Sequence, residues 1–126
     1  MPANLNMKIL VVDDHESMRR IENQILNDLG YPNVDMADDG TTPLPMLQSG
    51  NYDFVISDWN MPKMEGLELL RAIRADAKLT KTPVLLVTAE SKKEKIIEAV
   101  KAGVNDYVVK PFNAEIIKAK IARIFP

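Results

Sequence analysis

Three carboxylates stand directly after hydrophobic runs, where an acid needs a specific role. Asp13 and Asp14 follow KILVV (8–12), and Asp58 follows DFVIS (53–57). Aspartate is a poor strand former and is costly to bury, so each position calls for a turn, a helix cap or a chemical function. If the three come together they repel one another, and a hard divalent cation such as Mg²⁺ relieves that repulsion. We expect Asp14 to bind Mg²⁺ directly and Asp13 to bind it through water.

A hydroxyl and an ammonium group end two further hydrophobic runs. Thr88 closes PVLLVT (83–88), and Lys110 closes DYVVK (106–110). Beside Mg²⁺ these groups suit phosphoryl transfer, which depends on positioning and charge stabilisation. Asp58 would be the oxygen nucleophile that becomes an aspartyl phosphate, while Lys110 and Thr88 contact the phosphoryl oxygens. Taken alone, the aspartates would be read as turn or cap residues, and Thr88 or Lys110 would be unremarkable. Their shared position at strand ends favours the chemical interpretation.

The elements that must position these groups alternate between strands and helices. Strands are predicted at 8–12, 34–37, 53–57, 83–88 and 106–110. The first helix is predicted from an apolar face formed by Met18, Ile21, Ile25 and Leu29. Four further helices are predicted at 42–49, 65–75, 92–102 and 114–124. This (βα)5 alternation predicts an α/β fold, a flavodoxin-like doubly wound sandwich with a parallel sheet of order 2-1-3-4-5. The carboxyl ends of its strands meet at one edge, which brings the polar groups together.

Glycine and proline mark the helix boundaries. Gly30, Gly50 and Gly103 follow helical patterns and are predicted to end those helices in the left-handed conformation. Pro43 fits the first position of the second helix, and Pro45 is tolerated only within the same turn. The second helix should therefore be short or distorted.

The composition is that of a single globular domain. The chain has 126 residues, of which 46% are hydrophobic and 27% charged, with a net charge of −2. It has no cysteine, and its single histidine, His15, leaves too few ligands for a typical transition-metal site. No apolar run approaches the roughly 20 residues of a membrane span, and the start lacks a hydrophobic signal core. We expect a cytoplasmic protein with no nucleic-acid or membrane partner.

Five motifs resemble those of one known family. VVDDHESMRR, GYPNV, VISDWNMPKMEGLELL, PVLLVTAE and YVVKPF are similar to the motifs of response-regulator receiver domains, and most closely to those of chemotaxis regulators. The resemblance covers nearly the whole chain, so we expect one receiver domain at 1–126, with 1–7 as an N-terminal extension. No fused output domain is expected after the fifth helix.

The resemblance implies a phosphoacceptor that is not an enzyme but assists its own phosphotransfer and dephosphorylation. The donor would be a histidine kinase of the chemotaxis type, with Mg²⁺ as cofactor. Asn60 would give a backbone carbonyl to Mg²⁺, Tyr107 would be a rotamer switch coupled to Thr88, and the Lys110–Pro111 bond would be cis. The protein would be a monomer, and its candidate output partners are a flagellar motor switch protein and a phosphatase.

Output is expected through the face formed by the fourth helix, fifth strand and fifth helix. The partner surface predicted there consists of Lys92, Lys93, Ile96, Val100, Val104 and Tyr107. Related chemotaxis regulators often carry alanine near positions 100 and 104, so the two valines are expected to narrow the groove beside Tyr107 and weaken motor binding. A phosphate sink for a shared kinase is therefore the alternative to a motor effector.

Two other functions that use a similar fold or similar chemistry fit the sequence less well. A Mg²⁺-dependent aspartyl-phosphate hydrolase of the haloacid dehalogenase type needs an acid two residues after the nucleophile, where this chain has Asn60. A flavin carrier would have its phosphate repelled by Asp13 and Asp14. The sequence leaves open the roles of two residues next to the site. His15 either alters access to the acidic pair or is a simple loop side chain. Trp59 either shields the site or packs partly exposed.

Overall fold

The fold is a parallel sheet covered by helices on both faces. The computed structural model describes residues 4–38, 43–61, 65–89, 93–110 and 112–126. The elements are β1 (Ile9–Val12), α1 (Glu16–Asp28), β2 (Val34–Ala37), α2 (Pro43–Ser49), β3 (Phe54–Asp58), α3 (Gly66–Ala75), β4 (Val84–Thr88), α4 (Lys93–Ala102), β5 (Asp106–Val109) and α5 (Ala114–Ile124). All strand pairs are parallel and the order is β2-β1-β3-β4-β5. The predicted flavodoxin-like architecture is confirmed.

Successive residues of each central strand pack against opposite helical layers, because side chains alternate along a strand. Leu10 and Val55 belong to a core shared with α2, α3 and α4, whereas Ile9 and Phe54 belong to a core shared with α1 and α5. The central strands β1, β3 and β4 are buried along their whole length, as expected for a sheet covered on both faces. These strands form a rigid platform for whatever lies at their ends.

The strand register aligns the carboxyl ends. Val12 of β1 lies beside Ser57 of β3, so Asp13 and Asp58 are the next residues on two neighbouring strands. Thr88 ends β4, and Lys110 follows β5 directly. The sheet therefore brings together the residue types that the sequence placed at strand ends.

On helix α1, Ile25 and Leu29 pack against the core as predicted, but the centre of the buried face differs from the prediction. Ile21, predicted to be buried, is 50% exposed, whereas Glu22 is only 4% exposed. Leu26, one turn after Glu22, is fully buried in the α1–α5 layer. The face that includes Glu22 and Leu26 is the one that docks, so Glu22 follows its neighbours into the core.

Two of the three predicted left-handed glycines are confirmed. Gly30 and Gly103 have φ values of 99° and 95°, but Gly50 does not have a positive φ, so its prediction was wrong. Helix α2 is short, with seven residues, and both Pro43 and Pro45 lie in its first turn as predicted.

One structural expectation cannot be compared with the fold. The cis bond expected between Lys110 and Pro111 involves Pro111, which lies outside the described residues. In the part of the chain that the structure describes, each helix is too short or too polar to cross a membrane.

Candidate functional site

Four side chains with metal-binding atoms meet at the carboxyl end of the sheet. Asp13, Asp14, His15 and Asp58 each present one ligand atom, and these atoms lie within 4.8 Å of one another. Asp13 follows β1 directly and Asp58 is the last residue of β3, and both are almost completely buried, at 0% and 3% exposure. The predicted convergence of the three aspartates is thus present in the structure.

The carboxylate of Asp58 is paired with the ammonium group of Lys110. The distance from Lys110 Nζ to Asp58 Oδ1 is 3.1 Å. Burial is the main cause that raises the pKa of Asp58 above its ordinary value, and the charge of Asp13 raises it further, while Lys110 opposes both. Lys110 is itself held in place because its backbone N–H donates to the carbonyl of Thr88.

The two side-chain oxygens of Asp13 differ in their hydrogen bonding. Its Oδ1 accepts a hydrogen bond from the backbone N–H of His15, the residue before helix α1 begins, and its backbone carbonyl accepts one from Arg19. The turn-residue interpretation of the acidic pair is therefore correct in part. Asp13 Oδ2 and Asp14 Oδ1 are buried without a hydrogen-bond partner within the described residues, and such acceptors fit a cation.

The turn after Asp58 is tightly packed. Trp59 donates its backbone N–H to the Val87 carbonyl, and its own carbonyl accepts from Gly66 N, at 2.9 and 2.8 Å. A Cβ at Gly66 would collide with the Asp58 carbonyl, so glycine allows α3 to begin directly against the strand end. Trp59 is 2% exposed and packs in the core, so of the two interpretations left open for it, partial exposure was wrong.

The other predicted residues lie around this centre at different depths. Thr88 is fully buried at the end of β4, whereas the side chain of Asn60 is exposed. Tyr107 is half-buried on β5, and the Lys120 ammonium lies 5.3 Å from the centre of its ring.

The predicted partner surface is partly apolar and open to solvent. Lys93 is exposed, Ile96 and Val104 are half-buried, and Val100 is 62% exposed. Lys92, the remaining member of that surface, lies outside the described residues.

A buried glutamate beside the site was missed from the sequence. Neither carboxyl oxygen of Glu22 has a hydrogen-bond partner within the described residues. Burial raises the pKa of Glu22 from 4.5 to about 8, with a further contribution from the charge of Asp13. Steps of four and three residues from Met18 lead to Glu22 and Ile25, so the helical spacing could have predicted the burial of Glu22. Hydrophobicity favoured Ile21 for the core instead.

Comparison with known proteins identifies the family. Residues 9–122 match the model of the response regulator receiver domain. The chain belongs to the response regulator receiver domain family. It is 62% identical over 119 residues to the chemotaxis protein CheY of Pseudomonas aeruginosa, covering 94% of this chain and 96% of that protein. It is also 58% identical over 122 residues to CheY-3 of Vibrio cholerae, covering 97% and 94% of the two chains.

Solved structures of receiver domains agree with this assignment. CheY4 of Vibrio cholerae superposes with a TM-score of 0.87 at 38% identity, covering 94% of this chain and 98% of the other. The receiver domain of a sensor histidine kinase from Pseudomonas aeruginosa, described with a magnesium ion coordinated in its active site cleft, has a TM-score of 0.85 at 27% identity and covers 95% and 98%. The receiver domain is therefore a signalling module of the two-component and chemotaxis type, a phosphoacceptor by family rather than a conventional enzyme.

The stability of the metal-free protein should depend on the repulsion among Asp13, Asp14 and Asp58. Replacing Asp13 by asparagine keeps an acceptor for the His15 N–H but removes a charge that raises the pKa of Asp58. We expect the free energy of unfolding without metal to rise by about 1–2 kcal/mol at neutral pH. Urea unfolding in EDTA measures it. Asp13→Ala, which also loses the acceptor, should gain less, and a loss of stability in Asp13→Asn would contradict the repulsion argument.

Proposed function

We propose that this receiver domain is a phosphorylation switch in which Asp58 accepts a phosphoryl group from a histidine kinase. The observation that carries the proposal is the Lys110–Asp58 contact of 3.1 Å, formed beside two further carboxylates at the end of a buried sheet. The chemotaxis relatives support a kinase of that pathway as the donor.

The transfer exchanges one bond to phosphorus for another. A carboxylate oxygen of Asp58 attacks the phosphorus of a phosphohistidine, the P–N bond breaks, and the imidazole leaves with the electron pair and takes a proton from solvent. The new P–O bond makes an aspartyl phosphate. Asp58 must be ionised to attack, and Lys110 favours that form because its charge lowers the pKa that burial raises. Lys110 and the Thr88 hydroxyl then contact the phosphoryl oxygens.

The acidic pair is suited to hold Mg²⁺ in this role. Asp13, Asp14 and Asp58 would supply carboxylate oxygens and Asn60 would supply its backbone carbonyl, and the unpartnered Asp13 Oδ2 fits a cation. When bound, Mg²⁺ would offset the negative charge that gathers on the phosphoryl oxygens. The same residues would position a water molecule for dephosphorylation, so the domain would assist both gain and loss of its phosphoryl group.

Labelling by a small phosphodonor tests the proposal without a kinase. Acetyl phosphate with Mg²⁺ should add one phosphoryl mass to the intact wild-type protein, and EDTA should prevent it. Borohydride reduction of the acyl phosphate followed by peptide sequencing should locate the modification at Asp58. Labelling that persists in EDTA, or that maps to another residue, would contradict the proposal.

Output is proposed to occur through the face formed by α4, β5 and α5. Its exposed apolar residues Ile97 and Val100 on α4 and Ile116 on α5 support protein binding there. Phosphorylation would draw Thr88 toward the phosphoryl group and reposition Tyr107, which now packs beside Lys120. A motor switch protein and a phosphatase are the proposed partners of this face.

The two valines of the predicted partner surface support weak motor binding. Val100 projects into solvent, and Val104 packs at the edge of the core. We expect the beryllofluoride-activated protein to bind a motor-switch peptide about five- to a hundredfold less tightly than the Val100→Ala, Val104→Ala double variant, since a clash of their methyl groups costs about 1–3 kcal/mol. Calorimetry decides between the two outputs: micromolar binding by the unmodified protein would favour a motor effector, and binding gained only in the variant would favour the phosphate-sink role.

A further inference from the structure

His15 places an imidazole against the acidic pair. Its Nδ1 lies 3.2 Å from Asp14 Oδ1 and 3.4 Å from Asp13 Oδ1. Although His15 occupies the N-cap position of α1, its side chain makes no capping hydrogen bond, and it is 67% exposed. The imidazole is thus turned toward the carboxylates without a role in helix capping.

The atoms around this imidazole form an incomplete coordination shell. Asp13 is fully buried, and its Oδ2 has no hydrogen-bond partner within the described residues, which is an independent sign that a cation belongs there. Ligand atoms of Asp13, Asp14, His15 and Asp58 span at most 4.8 Å. Opposite ligands of one small divalent ion are about 4.0–4.4 Å apart, so shifts of a few tenths of an ångström would let all four reach one ion.

We propose that His15 is a nitrogen ligand that makes this site selective for first-row transition-metal ions over Mg²⁺. The inference rests on the proposed metal site and extends it. Carboxylate and water oxygens suit Mg²⁺, whereas imidazole nitrogen suits Co²⁺, Ni²⁺ and Zn²⁺. A site with three carboxylates and one imidazole therefore gains affinity for those ions, which reverses the expectation from the sequence that one histidine is too few for a transition-metal site.

The alternative role for His15 makes the opposite prediction. If the imidazole is only a positive partner of Asp13 and Asp14, it competes with every cation for those carboxylates. Removing it would then raise affinity for all divalent ions, Mg²⁺ included. A ligand and a competitor can therefore be told apart by the direction of the change.

The experiment compares the wild-type protein with His15→Phe, which keeps a flat ring without nitrogen. Trp59 fluorescence and calorimetry are used to titrate Mg²⁺, Co²⁺ and Ni²⁺ at mildly alkaline pH. We expect the ratio of Co²⁺ to Mg²⁺ affinity to fall at least about tenfold in His15→Phe, and the Ni²⁺ ratio to fall similarly. Asp14→Asn is the control for the site itself and should weaken all three ions.

A spectroscopic readout is independent of affinity. Because His15 is the single histidine and the chain has no cysteine, a paramagnetically shifted imidazole resonance in the Co²⁺ protein can be assigned to His15. Its presence in the wild type and absence in His15→Phe would support the proposal. An unchanged affinity ratio, or tighter binding of every ion by His15→Phe, would overturn it while leaving the Mg²⁺ site intact. Failure of the wild type to bind any of the ions would overturn both proposals.

Discussion

Replacing Glu22 by methionine is expected to stabilise the protein strongly, and more so as the pH rises. Methionine matches the length of the side chain and removes a carboxyl group whose two oxygens are buried without partners within the described residues. A cavity of about 10 Å³ lies beside Glu22, close to the smallest volume that holds one water. Apart from Glu22 its lining is apolar, namely Ile25, Leu26, Ile56, Phe112 and Ile117. A water molecule there would lack the two or more polar partners that it needs, so bound water does not satisfy the Glu22 carboxyl group.

The pH dependence follows from the direction of the pKa change. Burial, the charges of Asp13 and Asp58, and the opposing charge of Lys110 together raise the pKa of Glu22 from 4.5 to about 8 in the folded protein. Between these values the folded protein retains a proton that the unfolded chain releases, so rising pH favours unfolding. The difference between the two pKa values corresponds to about 5 kcal/mol of folding free energy, which the wild type loses by pH 8. This loss adds to the cost of about 1–3 kcal/mol for burying an unsatisfied polar group.

Urea unfolding of the wild type and Glu22→Met between pH 4.5 and 8.5 measures this effect. The difference in the free energy of unfolding should be smallest at the acid end and should grow steadily toward pH 8. Glu22→Gln is the matched control, because it cannot titrate but keeps buried polar atoms: its stability relative to Glu22→Met should not vary with pH. A difference between wild type and Glu22→Met that stays flat across this range would show that Glu22 does not retain its proton in the folded state.

The second large effect concerns Asp58. Asp58→Asn is expected to abolish labelling by acetyl phosphate in the presence of Mg²⁺, because a neutral amide oxygen cannot replace the anionic nucleophile that Lys110 contacts in the wild type. The substitution keeps the size of the side chain, and the new amide oxygen can still accept a hydrogen bond from Lys110. Intact-mass measurement on freshly reacted protein is the readout.

The chain provides a matched control for this loss. Asp53 is an exposed aspartate just before the same strand, where its Oδ2 accepts a hydrogen bond from the backbone N–H of Lys8. Asp53→Asn changes the same charge at the opposite end of β3 and should label like the wild type. Persistent phosphoryl mass in Asp58→Asn would move the acceptor to another residue, and equal loss in both variants would point to net charge rather than to a specific acceptor.

The strands and most helices could be predicted from local patterns. Hydrophobic runs such as ILVV and VLLVT can be buried on both faces only in a covered parallel sheet, and the periodic segments between them have the length of crossover helices. The strand-end positions of Asp13, Asp58 and Lys110 followed from the same reasoning, because parallel strands align their carboxyl ends regardless of the details of packing. For this reason the candidate site could be assembled before any distance was known.

The rotation of a helix and the depth of a side chain depend on contacts between distant segments. Ile21 and Glu22 are adjacent on α1, and local preference favours burying the isoleucine, yet the docking of α1 against the sheet and α5 buries the glutamate. The sequence left open whether Trp59 is partly exposed, and it is buried, because the turn after β3 folds back against α3. The approach of the His15 imidazole to two carboxylates depends likewise on how α1 begins. Sequence patterns thus established which residues reach the site edge, while the packing of whole elements determined which side chains are buried beside it, since burial is a property of the assembled layers and not of any one segment.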